Sequence, residues 1–366
     1  MKVLLLSVVE HRSSPLLQQV SLEELSELAR TAGYEVVDKL VVFIRSIDPK
    51  TYLGIGKLQE LVDFYHTEEL DGIIIQQELS PSQIKSVEEK ALCKVMTRTE
   101  LILQIFALHA RTKIAKIQVE LAQLNYMLSR LVGKGEEMSR IRGGIGMRGP
   151  GEQQLEIDRR LLRKRIHTLT EQLKKAEKGM QERRKKRRKH QYSVALVGYT
   201  NAGKSSLLQA LTHADVLIED KLFATLDTTS RRLWLTDGNQ SLQVVITDTV
   251  GFIQDLPHTL VESFRSTLLE AVDTELIIHV VNSVHPAYVQ QIETVQKTLQ
   301  EIGAEHIPQI LCFNKIDLLD TELYLQLRQN FPKAYFVSAT TKENLPILRE
   351  AIYNFFIKRE KSNSSV

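Results

Sequence analysis

Two cysteines in 366 residues are too few for a disulfide framework. Cys93 and Cys312 stand far apart in apolar surroundings and read as core thiols in a reducing cytosol. The ten histidines form no ligand-spaced cluster with them, which argues against a zinc or haem site. No apolar run approaches the ~20 residues a membrane helix needs, so a membrane span is not expected. Met1 to Val9 is apolar but meets Glu10-His11-Arg12 too soon for a signal peptide, and reads as a first strand. What is present is ordinary for a soluble globular chain: 43% apolar and 25% charged residues, with length for two or three domains. The expectation is a cytoplasmic monomer, touching membranes at most peripherally.

The net charge of +3 hides an asymmetry. Between Glu152 and His190 stand 15 Lys/Arg against 6 Asp/Glu, a local +9, so the remainder of the chain carries −6. That concentration points to an anionic partner for one segment.

Three regions follow from periodicity. Residues 1–110 alternate β-rich runs (Val3 to Val9, Glu35 to Ile44, Gly72 to Ile75, Cys93 to Val95) with helical stretches (Ser21 to Ala32, Lys57 to His66, Ser82 to Ala91). Such βαβα alternation implies a small parallel sheet covered by helices. Ser21 with Glu24 is placed to cap the first helix. Residues 111–190 change period: Ile114, Ile117, Leu121, Leu124, Leu128 and Leu131 recur at threes and fours, as do Leu155, Leu162, Ile166, Leu169, Leu173 and Ala176 with one gap. Two coiled-coil seams around a glycine-rich, non-helical stretch at 133–151 predict an antiparallel helical hairpin with a glycine-rich tip. A basic linker, 183–189, closes this region; its cations suit phosphates, and no aromatic residue interleaves for base stacking. Residues 191–358 again alternate strand and helix over a length sufficient for a nucleotide-binding domain with a mostly parallel sheet, and 359–366 read as a polar tail.

Within that third region, Gly198-Tyr199-Thr200-Asn201-Ala202-Gly203-Lys204-Ser205 fits G-x-x-x-x-G-K-S/T, the loop that wraps nucleotide phosphates. A strand precedes it at Ser193 to Val197, and a helix follows from Ser206 to Leu211, which puts phosphates on a helix N-terminus. Lys204 would meet the β- and γ-phosphates, and Ser205 would ligate Mg²⁺. Downstream, the strand Val244 to Thr247 runs into Asp248-Thr249-Val250-Gly251, where Asp248 would reach Mg²⁺ and Gly251 would offer its N–H to the γ-phosphate. Between the two, Phe223-Ala224-Thr225-Leu226-Asp227 is loop-like, with Thr225 the residue expected to close on Mg²⁺. Asn314-Lys315-Ile316-Asp317 follows another apolar strand, and Asp317 can accept both hydrogens of guanine N1 and N2. Ser338-Ala339-Thr340 then offers the Ala339 N–H to guanine O6. Four motifs in this order specify GTP, with Lys204, Thr225 and Gly251 as the catalytic group and Mg²⁺ at Ser205, Thr225 and Asp248.

Phe223 to Asp227 and Asp248-Thr249-Val250-Gly251-Phe252-Ile253 together resemble the HflX family of translation-factor-class P-loop GTPases. The resemblance extends through Gln118 to Leu124, Gly146 to Glu152 and Tyr52 to Lys57, and so over nearly the whole chain. It implies a GTPase that binds the large ribosomal subunit and separates stalled or idle ribosomes, with hairpin and basic arm on ribosomal RNA. The chain departs from the family at Thr228, where proline is usual, and at Thr97, where aspartate is common. Little follows the last helix, so no counterpart of the family's extra C-terminal domain is expected.

Many GTPases place a glutamine after Asp-x-x-Gly to orient the attacking water, and Phe252 stands there instead. Slow intrinsic hydrolysis is expected, accelerated by the ribosome or by a K⁺ ion that Asn201 would hold, as in similar potassium-dependent GTPases. Asn201 is equally a turn residue. Two other readings stay open: a GTP-switched RNA-binding module with a non-ribosomal target, and a second nucleotide activity at Gly54-Ile55-Gly56-Lys57, which lacks the full glycine spacing and a following Ser/Thr. Splitting, rescue and subunit assembly are not told apart.

Overall fold

The first apolar run becomes the inner strand of a parallel sheet in the computed structural model, which describes residues 1–10, 15–67, 69–141, 150–188, 192–212, 222–223, 228–238, 240–254 and 273–363. β1 (Lys2–Glu10) lies between β2 (Glu35–Ile44) and β3 (Gly72–Ile75), and β4 (Lys94–Thr97) adds beyond β3, giving the order β2-β1-β3-β4. The crossover helices are α1 (Pro15–Thr31), α2 (Ile55–Thr67) and α3 (Pro81–Ala91), and α4 (Arg98–His109) leaves the last strand. Strand alternation sends Leu4, Leu6 and Val8 to one face, where they pack with Leu58 and Leu61 of α2 and Ile84 and Val87 of α3. Leu5, of opposite parity, is equally buried, so both faces are covered, as a parallel sheet requires.

Reciprocal capping boxes start α3 (Ser80 with Gln83) and α4 (Thr97 with Glu100). The box expected at Ser21 and Glu24 does not form, because α1 already begins at Pro15 and Ser21 lies inside it. Proline at a first helical position sacrifices no intrahelical bond, which favours the earlier start. The Ser21 hydroxyl instead accepts from Gln76 Nε2 at 2.7 Å, and Glu24 pairs with buried Arg98 at 2.7 Å. Of the two cysteines, Cys312 is buried and Cys93 only partly so.

α5 (Lys113–Ile141) and α6 (Pro150–Arg188) are antiparallel over the first part of α5: Arg165 pairs with Glu120, while Arg159, earlier in α6, donates to the Leu131 carbonyl at 2.7 Å. Ile117, Leu121 and Leu124 close on Leu169 and Leu173. Nearer the start of α6, Ile157 (52%) and Leu161 (61%) face solvent, while Leu155, Leu162 and Ile166 are half-buried. The stretch 133–151, expected to be non-helical, is helical at both of its ends. α5 continues to Ile141 and α6 starts at Pro150, and 142–149 fall outside the described residues. Isolated glycines such as Gly133 and Gly135 cost about 1 kcal/mol each, too little to end a helix of good formers. Nor is 183–189 a linker, since α6 is helical through Arg188. Lysine and arginine are good helix formers, and cations suit a helix carboxyl terminus.

Over the described residues the chain divides into two compact units, within α6 between Lys175 and Ala176. The second holds a six-stranded sheet of β5 (Tyr192–Gly198), β6 (Thr229–Thr236), β7 (Ser241–Asp248), β8 (Leu276–Asn282), β9 (Gln309–Asn314) and β10 (Tyr335–Phe336). Its order is β10-β9-β8-β5-β7-β6, parallel except for β6 against β7. α7 (Lys204–Thr212), α8 (Tyr288–Glu301), α9 (Thr321–Asn330) and α10 (Leu345–Asn363) accompany it. The inner strands are apolar along their length because helices cover both faces. α10 runs into the expected polar tail as far as Asn363; Lys358, Arg359, Glu360 and Lys361 are all helix formers. No helix among the described residues is long and apolar enough to cross a membrane.

Candidate nucleotide site

The carboxyl ends of β5, β7, β9 and β10 bring the motifs of the second unit together. β5 ends at Gly198, where a Cβ would stand 2.2 Å from the Val280 carbonyl oxygen of β8, so only glycine fits. The chain turns through Asn201 (φ 58) and Gly203 (φ +85) into α7. A Cβ on Gly203 would meet Asn314 Nδ2 at 2.3 Å. Lys204, first residue of α7, is buried and donates to the carbonyls of Gly198 (3.1 Å) and Tyr199 (2.8 Å). Burial pushes its ammonium down to about 8, against the attraction of Asp248. Such a cation, held against carbonyls of a glycine loop, is a ready partner for a phosphate anion. Thr200 and Ala202 are buried in the loop, and Ser206 is half-buried on α7.

Ser205 donates its hydroxyl to the buried Asp248 carboxylate at 2.6 Å. These oxygens form the kind of all-oxygen pair that suits a hard divalent cation. After Asp248, Thr249 anchors on the Leu196 carbonyl at 2.8 Å. A Cβ on Gly251 would lie 2.9 Å from Thr200 Cα and 3.1 Å from Lys204 Nζ, so a side chain there would close the space above the lysine. Phe252 extends the phosphate loop as a short parallel bridge: its carbonyl accepts from Thr200 N at 2.7 Å, and its N–H donates to the Gly198 carbonyl at 3.0 Å. The ring is 1% exposed. The Tyr199 hydroxyl accepts from Gln254 N at 2.8 Å, a second tie between the same two loops. Phe223 is buried with φ 56, whereas Ala224 and Thr225 lie outside the described residues. Thr228, described, is half-buried just before β6.

On the other side, buried Asn314 donates from Nδ2 to the Ala202 carbonyl (3.1 Å) and accepts from Ala339 N (3.0 Å), coupling three motifs through one amide. Lys315 (φ 67) turns the chain, its Nζ 3.5 Å from Asn201 Oδ1. Asp317 is exposed on the single 3₁₀ turn Ile316–Leu318. Ser338 is buried and accepts from Thr341 N at 3.0 Å, and the strand end passes through half-buried Ala339 to exposed Thr340.

One residue escaped the motif reading. His279 is buried in β8; burial and the nearby Lys204 charge push it down to about 4, so it is a neutral imidazole. The visible signal was a lone histidine in the otherwise apolar run Leu276–Val281.

Comparison with known proteins follows the same divisions. The families described as GTP-binding GTPase N-terminal, GTP-binding GTPase Middle Region and 50S ribosome-binding GTPase match residues 19–107, 109–187 and 193–315. A GTPase HflX of Caldanaerobacter subterraneus subsp. tengcongensis is 48% identical over 91% of this chain and 76% of its own length. The GTPase HflX of Escherichia coli is 41% identical over 90% of this chain and 78% of its own. Among solved structures, a GTP-binding protein of the archaeon Sulfolobus solfataricus in complex with GDP superposes with a TM-score of 0.50 at 27% identity, covering 97% of this chain and 98% of that one.

Proposed function

Because the chain belongs to the HflX family of GTPases, we propose that it binds the large ribosomal subunit with GTP and separates stalled or idle ribosomes, hydrolysis serving for release. The chain is a GTP hydrolase. Phe252 carries the proposal beyond that. It stands in the sequence where many GTPases have the glutamine that orients the attacking water, its ring is buried, and a phenyl group makes no hydrogen bond to water of the required kind. A slow enzyme of this design waits for an activator. The matched 50S ribosome-binding family supports the ribosome in that role.

The residue roles follow from chemistry. Lys204 offers its charge to the β- and γ-phosphates, exchanging its two carbonyl contacts for phosphate oxygens. Gly198 to Ser206 wrap the phosphates with backbone N–H groups, and the absent side chain of Gly251 leaves its N–H close to the γ-phosphate. Ser205, Asp248 and, on the γ-phosphate, Thr225 are the residues for Mg²⁺, which when bound neutralises phosphate charge. Phe223 and Ala224 belong to the same nucleotide-contacting motif as Thr225. On the base side, Asp317 accepts from guanine N1 and N2, Lys315 lies along the ring, Ala339 between Ser338 and Thr340 donates to O6, and Asn314 holds both halves together.

For the activator, K⁺ at Asn201 is the less favoured reading, because Lys315 Nζ lies 3.5 Å from the same Oδ1 and competes for it. The deciding experiment sediments intact ribosomes with the protein and GTP, GDP or a non-hydrolysable GTP analogue. Subunit separation with the analogue is expected. Ribosomes left intact under all three nucleotides would overturn the splitting role, and preference for free structured RNA over subunits would favour a non-ribosomal target.

A further inference from the structure

Trp234, the single tryptophan of the chain, is 59% exposed on the edge strand β6. Tryptophan on a strand normally contributes its large apolar area to a core. Here the core is supplied by the opposite parity: Leu233 and Leu235 are buried against α7 and α10 with Leu242, Val244 and Ile246 of β7. The outward face of the ribbon is a different surface. On β6 it carries Ser230, Arg232, Trp234 and Thr236, all exposed, and their antiparallel partners on β7 are Thr247, Val245, Gln243 and Ser241. Arg349 fixes the strand beneath the indole, donating to the Trp234 and Leu211 carbonyls at 2.6 Å each.

We propose that this face is an RNA platform, with Trp234 stacking on an unpaired base and Arg232 taking an adjoining phosphate. The inference rests on the ribosomal reading given above and deepens it. Charge and composition select the partner. Among the described residues of the two strands this face holds one cation, no carboxylate and several hydroxyl and amide groups, which suits base edges and phosphates. A protein-binding centre built on tryptophan is ordinarily surrounded by further apolar contacts, and among the described residues of these two strands Val245 alone supplies one on this face. The basic end of α6 offers cations without an aromatic ring; the ribbon supplies the ring. Its position also gives it consequence. β6 leads out of the segment that holds Thr225, and β7 delivers Asp248, so a base on the ribbon bears on the link between two loops assigned to the γ-phosphate.

Because Trp234 is the only tryptophan, its fluorescence reports this strand alone in the full-length protein. The probe is large-subunit ribosomal RNA transcribed in vitro, which contains no tryptophan. Quenching of Trp234 on binding is expected. Trp234→Ala should weaken binding to that RNA and to large subunits about tenfold, with Trp234→Phe restoring most of it. Arg232→Ala should reduce the salt dependence of binding by about one counterion, and basal GTP hydrolysis should not change in any variant. If RNA binds by sedimentation while emission and the Trp234→Ala affinity stay as in the wild type, the platform is refuted and the ribosomal reading survives. Weakened binding to intact subunits with unchanged binding to free RNA would mean a protein contact and equally overturn it. A wild-type protein that binds neither RNA nor subunits sinks both readings.

Discussion

At the carboxyl ends of β5, β7 and β9 the six-stranded sheet presents Gly198, Asp248 and Asn314, whereas at the ends of β3 and β4 the four-stranded sheet presents Gln77, Glu78 and Thr97. Both sheets are parallel, or nearly so, and both therefore place loops at their carboxyl edges, where ligands of such folds gather. The difference lies in what those polar groups are engaged with. Gln77 accepts from Val8 N at 2.8 Å, Glu78 from Thr99 N at 3.2 Å, and Thr97 shares a 2.9 Å hydrogen bond with Tyr126 while capping α4. Those are architectural bonds, closing the sheet onto α4 and α5. In the second unit the polar groups hold one another across loops: Asn314 to Ala202 and Ala339, Ser205 to Asp248, Lys204 to the loop carbonyls. A parallel sheet provides a crevice; only groups whose partners can be exchanged for a ligand make it a site.

The contrast is sharpest between two lysines that each follow a glycine of positive φ. Gly203 (φ +85) is wedged against Asn314 and immediately precedes buried Lys204, while Gly54 (φ +83) has nothing near its missing Cβ and stands three positions before exposed Lys57. The largest effect is expected at the first. Lys204→Ala removes a charge from the developing transition state, a loss on the order of 10³–10⁵ in rate. Single-turnover hydrolysis with and without ribosomes measures it, and activity within tenfold of the wild type would contradict the assignment.

Asp317 comes next. Two hydrogen bonds to a charged carboxylate contribute about 1.5–3 kcal/mol each, so Asp317→Asn should reduce the guanosine preference by roughly 10²–10⁴ and favour xanthosine nucleotides. Competition between GTP and XTP reads this directly; an undiminished guanine preference would remove Asp317 from the base site. Because Asp317 is exposed on a short 3₁₀ turn, the loss should appear in specificity and leave folding intact.

A smaller effect distinguishes the phosphate half from the base half. Burial holds the Lys204 ammonium down to about 8, below its ordinary 10.5. Phosphate charge raises it again, so nucleotide binding takes up a proton above pH 8. GTP affinity should be flat below pH 8 and fall by about tenfold per unit above it, while the nucleoside guanosine, which lacks phosphates, shows no such decline. Calorimetric titrations from pH 7 to about 9.5 test it, and parallel profiles for GTP and guanosine would contradict it.

Much of this was legible beforehand, for identifiable reasons. The strands and the nucleotide motifs are local patterns: a run such as Val194 to Val197 declares a doubly covered strand, and Gly-Lys-Ser at its exit admits few alternatives. Helix ends were harder. Ser21 has the chemistry of a cap, but Pro15 starts the helix earlier; Gly133 and Gly135 look like breakers, but one glycine in a long helix costs too little to stop it. The tie of Asn314 to the phosphate loop follows from its motif, whereas the pairing of Phe252 with that loop and the bond of Asn314 to Ala339 were invisible for another reason. They join residues far apart in sequence, and nothing local encodes them.

The smallest effect is expected at Lys57, and it tests the comparison from the other side. α2 begins at Ile55, before the lysine, so Lys57 lies within the first turn and projects from the helix surface, 49% exposed and 2.7 Å from Glu60. In the second unit the helix begins at the lysine itself, which folds back over the loop to reach the Gly198 and Tyr199 carbonyls. A lysine that points outward from its own helix cannot close a ring of N–H groups around a phosphate, and no Ser or Thr follows Lys57 to ligate a metal. An exposed i,i+3 ion pair contributes about 0–1 kcal/mol. Lys57→Ala should therefore shift stability by no more than about 0.5 kcal/mol and leave GTP turnover unchanged. ATP hydrolysis that persists in Lys204→Ala and vanishes in the double variant would show that the four-stranded sheet carries a second nucleotide site despite its tied-off edge.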